Sequence, residues 1–158
     1  MAQRIVYTRP DGGVSVVYPA PEYVARFATE AEALEAIQAK GVPTNAMNVH
    51  ICDEFVIPAS RRFRNCWRQV GGATPPSVSI SLARAQRMSE IRSERDKRLI
   101  LSDAQMARAQ DIGAPAEIAA LKTYRQSLRD LPQTINLNSI QDVDNLAAYE
   151  PNWPVEPV

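Results

Sequence analysis

A seam of side chains recurring at three- and four-residue intervals constrains this chain more than any other feature. Leu82, Ala85, Met88, Ile91, Arg95, Leu99, Ser102, Met106 and Ala109 share one helical face, with only Arg95 and Ser102 polar. The spacing predicts a helix from Ser81 to about Asp111, roughly 45 Å long, ended by Gly113. Glu94 with Arg98, and Arg92 with Asp96, stand four apart and are expected to pair at about 0.3–0.5 kcal/mol each. A helix of this length needs cover for its seam. Ala114-Pro-Ala-Glu117 restarts a helix with proline in its first turn. Leu121, Tyr124, Leu128 and Leu131 form that helix's stripe, and Pro132 is expected to close it. The short link at Gly113 makes the two arms antiparallel. Their signature stretches are Arg92-Ser-Glu-Arg-Asp-Lys-Arg-Leu99 and Tyr124-Arg-Gln-Ser-Leu-Arg-Asp-Leu-Pro132.

The residues before the hairpin form a mixed, strand-containing region. Arg4–Thr8 and Val14–Tyr18 carry β-branched and aromatic residues, and Pro10-Asp-Gly-Gly13 between them tolerates positive φ, so a β-hairpin is predicted. Pro19 and Pro21 stop the ladder. Thr29 and Glu32 form a capping box for a helix whose apolar face carries Leu34 and Ile37, with Gly41 expected as its C-terminal cap. His50 to Ile57 reads as a third strand ended by Pro58, giving a small sheet with one face covered by a helix. Phe63 and Trp67 lie among Arg61, Arg62, Arg64 and Arg68, and share a face if this is a helical turn. Trp and Arg are enriched at binding hot spots, so the pair is either an interface or an anchor packed inside. Gly71-Gly-Ala-Thr-Pro-Pro76 is a linker by composition. Val78 to Ile80 is a brief strand or the approach to the next helix. Ser139-Ile-Gln-Asp142 caps a last short helix through Ala148, before a tail limited by Pro151, Pro154 and Pro157.

The predicted architecture is therefore α+β. A sheet-and-helix module over residues 1–76 precedes a long antiparallel helical hairpin over 77–132 and a short helix with a Pro-rich tail over 133–158.

Charge and chemistry narrow the function. Eighteen basic and eighteen acidic residues balance, so nothing global draws the chain to nucleic acid or to an anionic membrane. The arginines of 61–68 and the basic residues Arg84, Arg87, Arg92, Arg95, Lys97 and Arg98 are the strongest hint of nucleic acid. Glu90, Glu94 and Asp96 among the latter make a salt-bridged face instead, and the counterion-release term is small. No stretch is apolar for the ~18 residues a membrane span needs. A secretory signal is not expected, because Met1-Ala-Gln-Arg-Ile-Val runs into Arg9-Pro-Asp-Gly-Gly rather than an apolar segment. Cys52 and Cys66 form no framework and fit a reducing compartment. With His50 they offer three ligands where a structural zinc site wants four. The glycine pairs 12–13 and 71–72 lack the lysine and spacing of a phosphate loop. No catalytic, metal or cofactor site is expected.

Three blocks carry a family resemblance. Arg62-Phe-Arg-Asn-Cys-Trp67 is similar to an Arg-x-Phe-Arg-Asn-Ala/Cys-Trp block, Arg92-Ser-Glu-Arg-Asp96 to an Arg-x-Glu-Arg-Asp helix, and Tyr124–Pro132 to Tyr-Arg-Gln-Ala-Leu-Arg-Asp-Ile-Pro. Together, over roughly residues 60–132, they resemble the phage tail assembly chaperone family of tailed bacteriophages and prophages. Where many members carry Asp-Trp-Thr/Ser, this chain has Ser102-Asp-Ala-Gln105. The resemblance implies a non-enzymatic protein that binds phage tail or tail-fibre polypeptides in the host cytoplasm during assembly. The partner-binding candidates are Phe63, Arg64, Trp67, Arg95, Tyr124, Arg125 and Arg129. A permanent component of the virion tail, at its tip or a fibre attachment, is the alternative, and a nucleic-acid-binding regulator a more distant one. Homo-oligomers are compatible with either assembly role. Tyr124, Leu128 and Leu131 could equally pack on the first arm, with Arg125 and Arg129 pairing to Glu90, Glu94 or Asp96.

Overall fold

The structure is a computed structural model and describes residues 2–157. Two compact units divide the chain, Met1–Ser79 and Ile80–Val158.

In the first unit, β1 (Gln3–Thr8) lies between β2 (Val14–Val17) and β3 (Met47–Asp53) in an antiparallel sheet of order β2-β1-β3. The registers set Ile5 opposite Val17 on one side and Ile51 on the other. The predicted hairpin is present, and its turn works as its residues require. Gly12 has φ +78°, a value L side chains resist, and the Gly13 N–H donates to Asp11 Oδ1 at 2.8 Å. Ile5 and Val6 point to opposite faces, yet both are fully buried, so both faces of the central strand are covered rather than the one expected. One of those cores gathers Val6, Val14, Cys52, Ile57 and Trp67.

A single helical turn, α1 (Pro21–Val24), leads to α2 (Glu30–Gly41). Half of the capping box forms as predicted, with Thr29 Oγ1 accepting the Glu32 N–H at 3.2 Å, while the Glu32 carboxylate reaches one residue further back and takes the Ala28 N–H. Gly41 is the last helical residue rather than the cap; Val42 turns the chain into extended backbone. The third strand ends earlier than predicted. Gln3 pairs with Asp53 and the Glu54 N–H donates to the Ala2 carbonyl, so β1 offers no further ladder. Glu54–Val56 therefore folds into a 3-10 turn. A second such turn, Arg64–Cys66, precedes β4 (Trp67–Arg68), which pairs with β5 (Ser77–Val78). Phe63 and Trp67 thus do not share a helical face, because Trp67 is already extended.

The second unit is built on α3 (Ile80–Asp111) and α4 (Pro115–Thr134), which pack against each other. Gly113, at φ +63°, makes the turn that proline then converts into a helix start. Contacts of Arg125 with Ser102 and Asp103, nearly equidistant from that turn, fix the antiparallel sense. The buried stripe of α4 is Leu121, Tyr124, Leu128 and Leu131, as its spacing predicts. Pro132 does not close the helix, which runs two residues further; a missing N–H in the last turn leaves only one internal bond unmade. The α3 seam is rotated at its start. Ala83 and Arg87 are buried while Leu82 and Ala85 are exposed, and prediction and structure coincide from Ile91 through Ser102 to Ala109. A 3-10 turn, Leu137–Ser139, precedes α5 (Val143–Ala148). Its cap is Asp142, whose carboxylate accepts the Asn145 N–H at 2.8 Å, while Ser139 bonds back to Asn136. Both 3-10 turn and α5 lie along α3.

Candidate functional site

The residues nominated from the sequence divide by burial. Trp67 is 1% exposed and Phe63 equally so, which resolves that pair toward internal packing. The Trp67 ring completes the β-sheet core, and its Nε1 finds no hydrogen-bond partner among the described residues, so its contribution is apolar. Arg64 lies over that ring at 4.3 Å. Burial, with the charge of Arg61 beside it, pulls the Arg64 guanidinium pKa below its ordinary value. Tyr124 is buried in the α4 stripe. Arg125 reaches Ser102 Oγ at 2.8 Å and the Asp103 carboxylate, not Glu90, Glu94 or Asp96. Arg95 takes Asp96 at 2.8 Å in place of the predicted Arg92 pair, whereas the predicted Glu94–Arg98 pair forms at 3.3 Å. Arg129 is exposed, with no side-chain hydrogen bond or ion pair among the described residues.

Three residues missed by sequence reasoning bind residues 149–156 to α3. Arg87, almost fully buried, donates to the Tyr149 carbonyl and to Glu150; Arg98 stacks over Trp153 at 4.4 Å; Gln105 donates to Glu156. Between Arg87 and Gln105 the helix rises about 27 Å, close to the ~23–25 Å an extended run from Tyr149 to Glu156 can span. The strap is therefore drawn out along the helix, and Pro151 and Pro154 suit that conformation. Arg87 also meets Glu90 at 3.3 Å within its own helix, but no local signal points to its strap partners, which lie more than 60 positions away.

Two of the open surfaces stand out for the large apolar side chains they expose. The first is a groove of about 530 Å³ lined by Tyr18, Glu54, Phe55, Ile57, Pro58 and Arg61, among others. Phe55, on the 3-10 turn after β3, is 71% exposed. The Tyr18 ring has Arg4 at 4.8 Å and Arg61 at 5.5 Å. Glu54 neutralises Arg4 at 2.6 Å, but no carboxylate pairs with Arg61 among the described residues. The groove thus combines an apolar wall with an uncompensated cation. The second is the outer face of α3, where Ile100 and Leu101 are 67% and 69% exposed and Ala104, Ala107 and Ile112 are exposed beside them.

Cys52 and Cys66 are free and buried, and burial, then the neighbouring Asp53, pushes the Cys52 thiol pKa up. Among the described residues no three His, Cys, Asp or Glu side chains converge as a metal site requires, and no helix is long and apolar enough to cross a membrane.

Residues 88–158 match the family described as phage tail assembly chaperone protein. The match takes in most of α3, all of α4 and the strap, and with them the Arg92–Asp96 and Tyr124–Pro132 blocks; the Arg62–Trp67 block lies outside it. It supports a role in tail assembly. No curated protein and no solved structure matches the chain.

Proposed function

We propose that this chain is a non-enzymatic phage tail-assembly protein that binds a tail or tail-fibre polypeptide in the host cytoplasm. The observation that carries the reading is the groove around Phe55. An assembly role needs a surface for a foreign chain, and here an exposed aromatic ring stands beside an arginine without a counter-charge. The groove suits an extended segment with an apolar side chain against Phe55 and Tyr18 and a carboxylate on Arg61, whose planar fork favours bidentate pairing. Phe63, Trp67 and Tyr124 act in this reading from within, holding the scaffold; Arg64 supports the Trp67 ring, Arg125 ties α4 to Ser102 and Asp103 of α3, and Arg95 and Arg129 are not among the groove's lining.

The test is recovery of identified tail polypeptides with the tagged full chain from cells expressing the tail genes. Phe55→Ser and Arg61→Glu are each expected to lower recovery about tenfold or more, the effect of losing a hot-spot contact, while circular dichroism stays unchanged. Unaltered recovery in both variants rejects the groove. Mass spectrometry of purified virions separates the two assembly roles: stoichiometric presence makes the chain a tail component, and absence makes it a factor that leaves.

A further inference from the structure

We infer that the outer face of α3 is a homotypic interface, on which a second copy of this chain packs antiparallel about Ala104. The inference does not rest on the client groove, which lies in the other unit.

Lys97, Leu101, Ala104, Arg108 and Asp111 follow one another at intervals of four, three, four and three along α3. That is the heptad spacing of a helix-pairing seam, and every one of these residues is exposed. Ile100 and Ala107 flank the seam and are exposed too. The buried contacts of α3 with α4, the 3-10 turn and α5 belong to its other side, through Ile91, Ser102 and Ala109. An isolated leucine on a surface needs no explanation, but adjacent Ile100 and Leu101 on a helix already packed on its opposite face leave a contiguous apolar strip in water.

The charges select the occupant. A two-fold axis at Ala104 sets Lys97 opposite Asp111 twice, places Leu101 beside Ala107, and lays the aliphatic stem of Arg108 along Ile100. A parallel pair would instead oppose Lys97 to Lys97 and Asp111 to Asp111. Both ends of the seam are free to pair in this way. Asp111 and Arg108 have no ion pair among the described residues, and Lys97 holds Glu94 only at 3.8 Å while remaining largely exposed. Alanine at the crossing lets two helix axes approach to the short end of the usual 8–10 Å range. The seam from Lys97 to Asp111 is about 21 Å long, which makes the contact small by the standards of permanent dimers. The association is therefore weak, reversible and concentration-dependent.

Sedimentation equilibrium of the full chain, from low micromolar to near-millimolar concentration, tests this. The expected result is a monomer–dimer equilibrium. Lys97→Asp and Asp111→Lys each weaken it by roughly tenfold, since each variant disrupts two symmetric pairs, and the doubly substituted chain recovers most of the loss. Ala104→Glu, an exposed change to another good helix former, removes the dimer while the helical circular dichroism is retained. A monomer at every concentration overturns the inference. So does a dimer that neither charge reversal nor Ala104→Glu alters, or one that the double substitution fails to restore.

Discussion

Arginine does different work in the two units. In the first, guanidinium groups commonly lie on rings, Arg4 and Arg61 on Tyr18, Arg26 on Tyr23, Arg62 on Phe63 and Arg64 on Trp67, although Arg4 also pairs with Glu54, and Arg9 and Arg68 donate to nearby carbonyls. In the second they bind oxygen: Arg84 the Ile140 carbonyl, Arg87 the Tyr149 carbonyl, Arg98 Glu94 and Arg125 Asp103, with Arg98 also on Trp153. A guanidinium stacked on a ring keeps its in-plane N–H groups available to a partner, whereas one that closes a carbonyl is committed to the fold. Arg61, stacked on Tyr18 with no carboxylate paired to it among the described residues, thus leaves recognition capacity in the first unit, while Arg84, Arg87 and Arg125 stitch distant segments together in the second.

The contrast can be broken at several points. The largest effect is expected from Trp67→Ala, which removes the ring under Arg64 and opens the sheet core at about 3–5 kcal/mol. Urea unfolding followed by circular dichroism reads the loss. A change under about 1 kcal/mol would mean that the ring is not structural. Arg87→Ala comes next, at about 2 kcal/mol, because it unpairs the Tyr149 carbonyl and frees residues 149–156. Limited proteolysis should then cut the strap, and continued protection would assign its hold to Trp153 instead. Arg61→Ala should stay within about 0.5 kcal/mol of the parent in stability while client recovery falls. A large stability loss would place Arg61 with the committed arginines.

The smallest effect concerns Asp11. The Gly13 N–H holds its carboxyl below the usual Asp value, with Arg9 adding to the shift. A depressed folded pKa means that the contribution is complete above the unfolded pKa of about 3.9 and is lost as pH falls through the lower folded value. The Gly13 amide resonance should move in that acidic window and not near neutrality.

How far the sequence could be read depends on the range of the interactions involved. The Thr29 cap, the Gly12 turn, the α4 stripe and the Gly113–Pro115 reversal are settled by neighbours within a few positions, and each is legible. The early end of β3 is not, since it depends on where β1 runs out of partners at Ala2. Nor is the rotation at the start of α3: Arg87 is turned inward by the strap, so the apolar count alone favours the wrong side. The Phe63–Trp67 block shows the same limit at the candidate site. Arginines around a tryptophan resemble an exposed hot spot until the β4–β5 pairing carries the ring into the core. Phe55 and the outer face of α3 become visible as surfaces only once burial is known.

The strap along α3 also has a consequence for synthesis. Residues 149–156 reach back to Arg87, Arg98 and Gln105, so the helix cannot gain its full set of contacts until they have left the ribosome. The last strand of the first unit ends at Val78. At translation rates of ~5–20 residues per second, all the residues of that unit precede the end of the strap by roughly 4–16 s. The groove around Phe55 can thus form while the helical unit is still being made, which gives the nascent chain a recognition surface before its own assembly is complete.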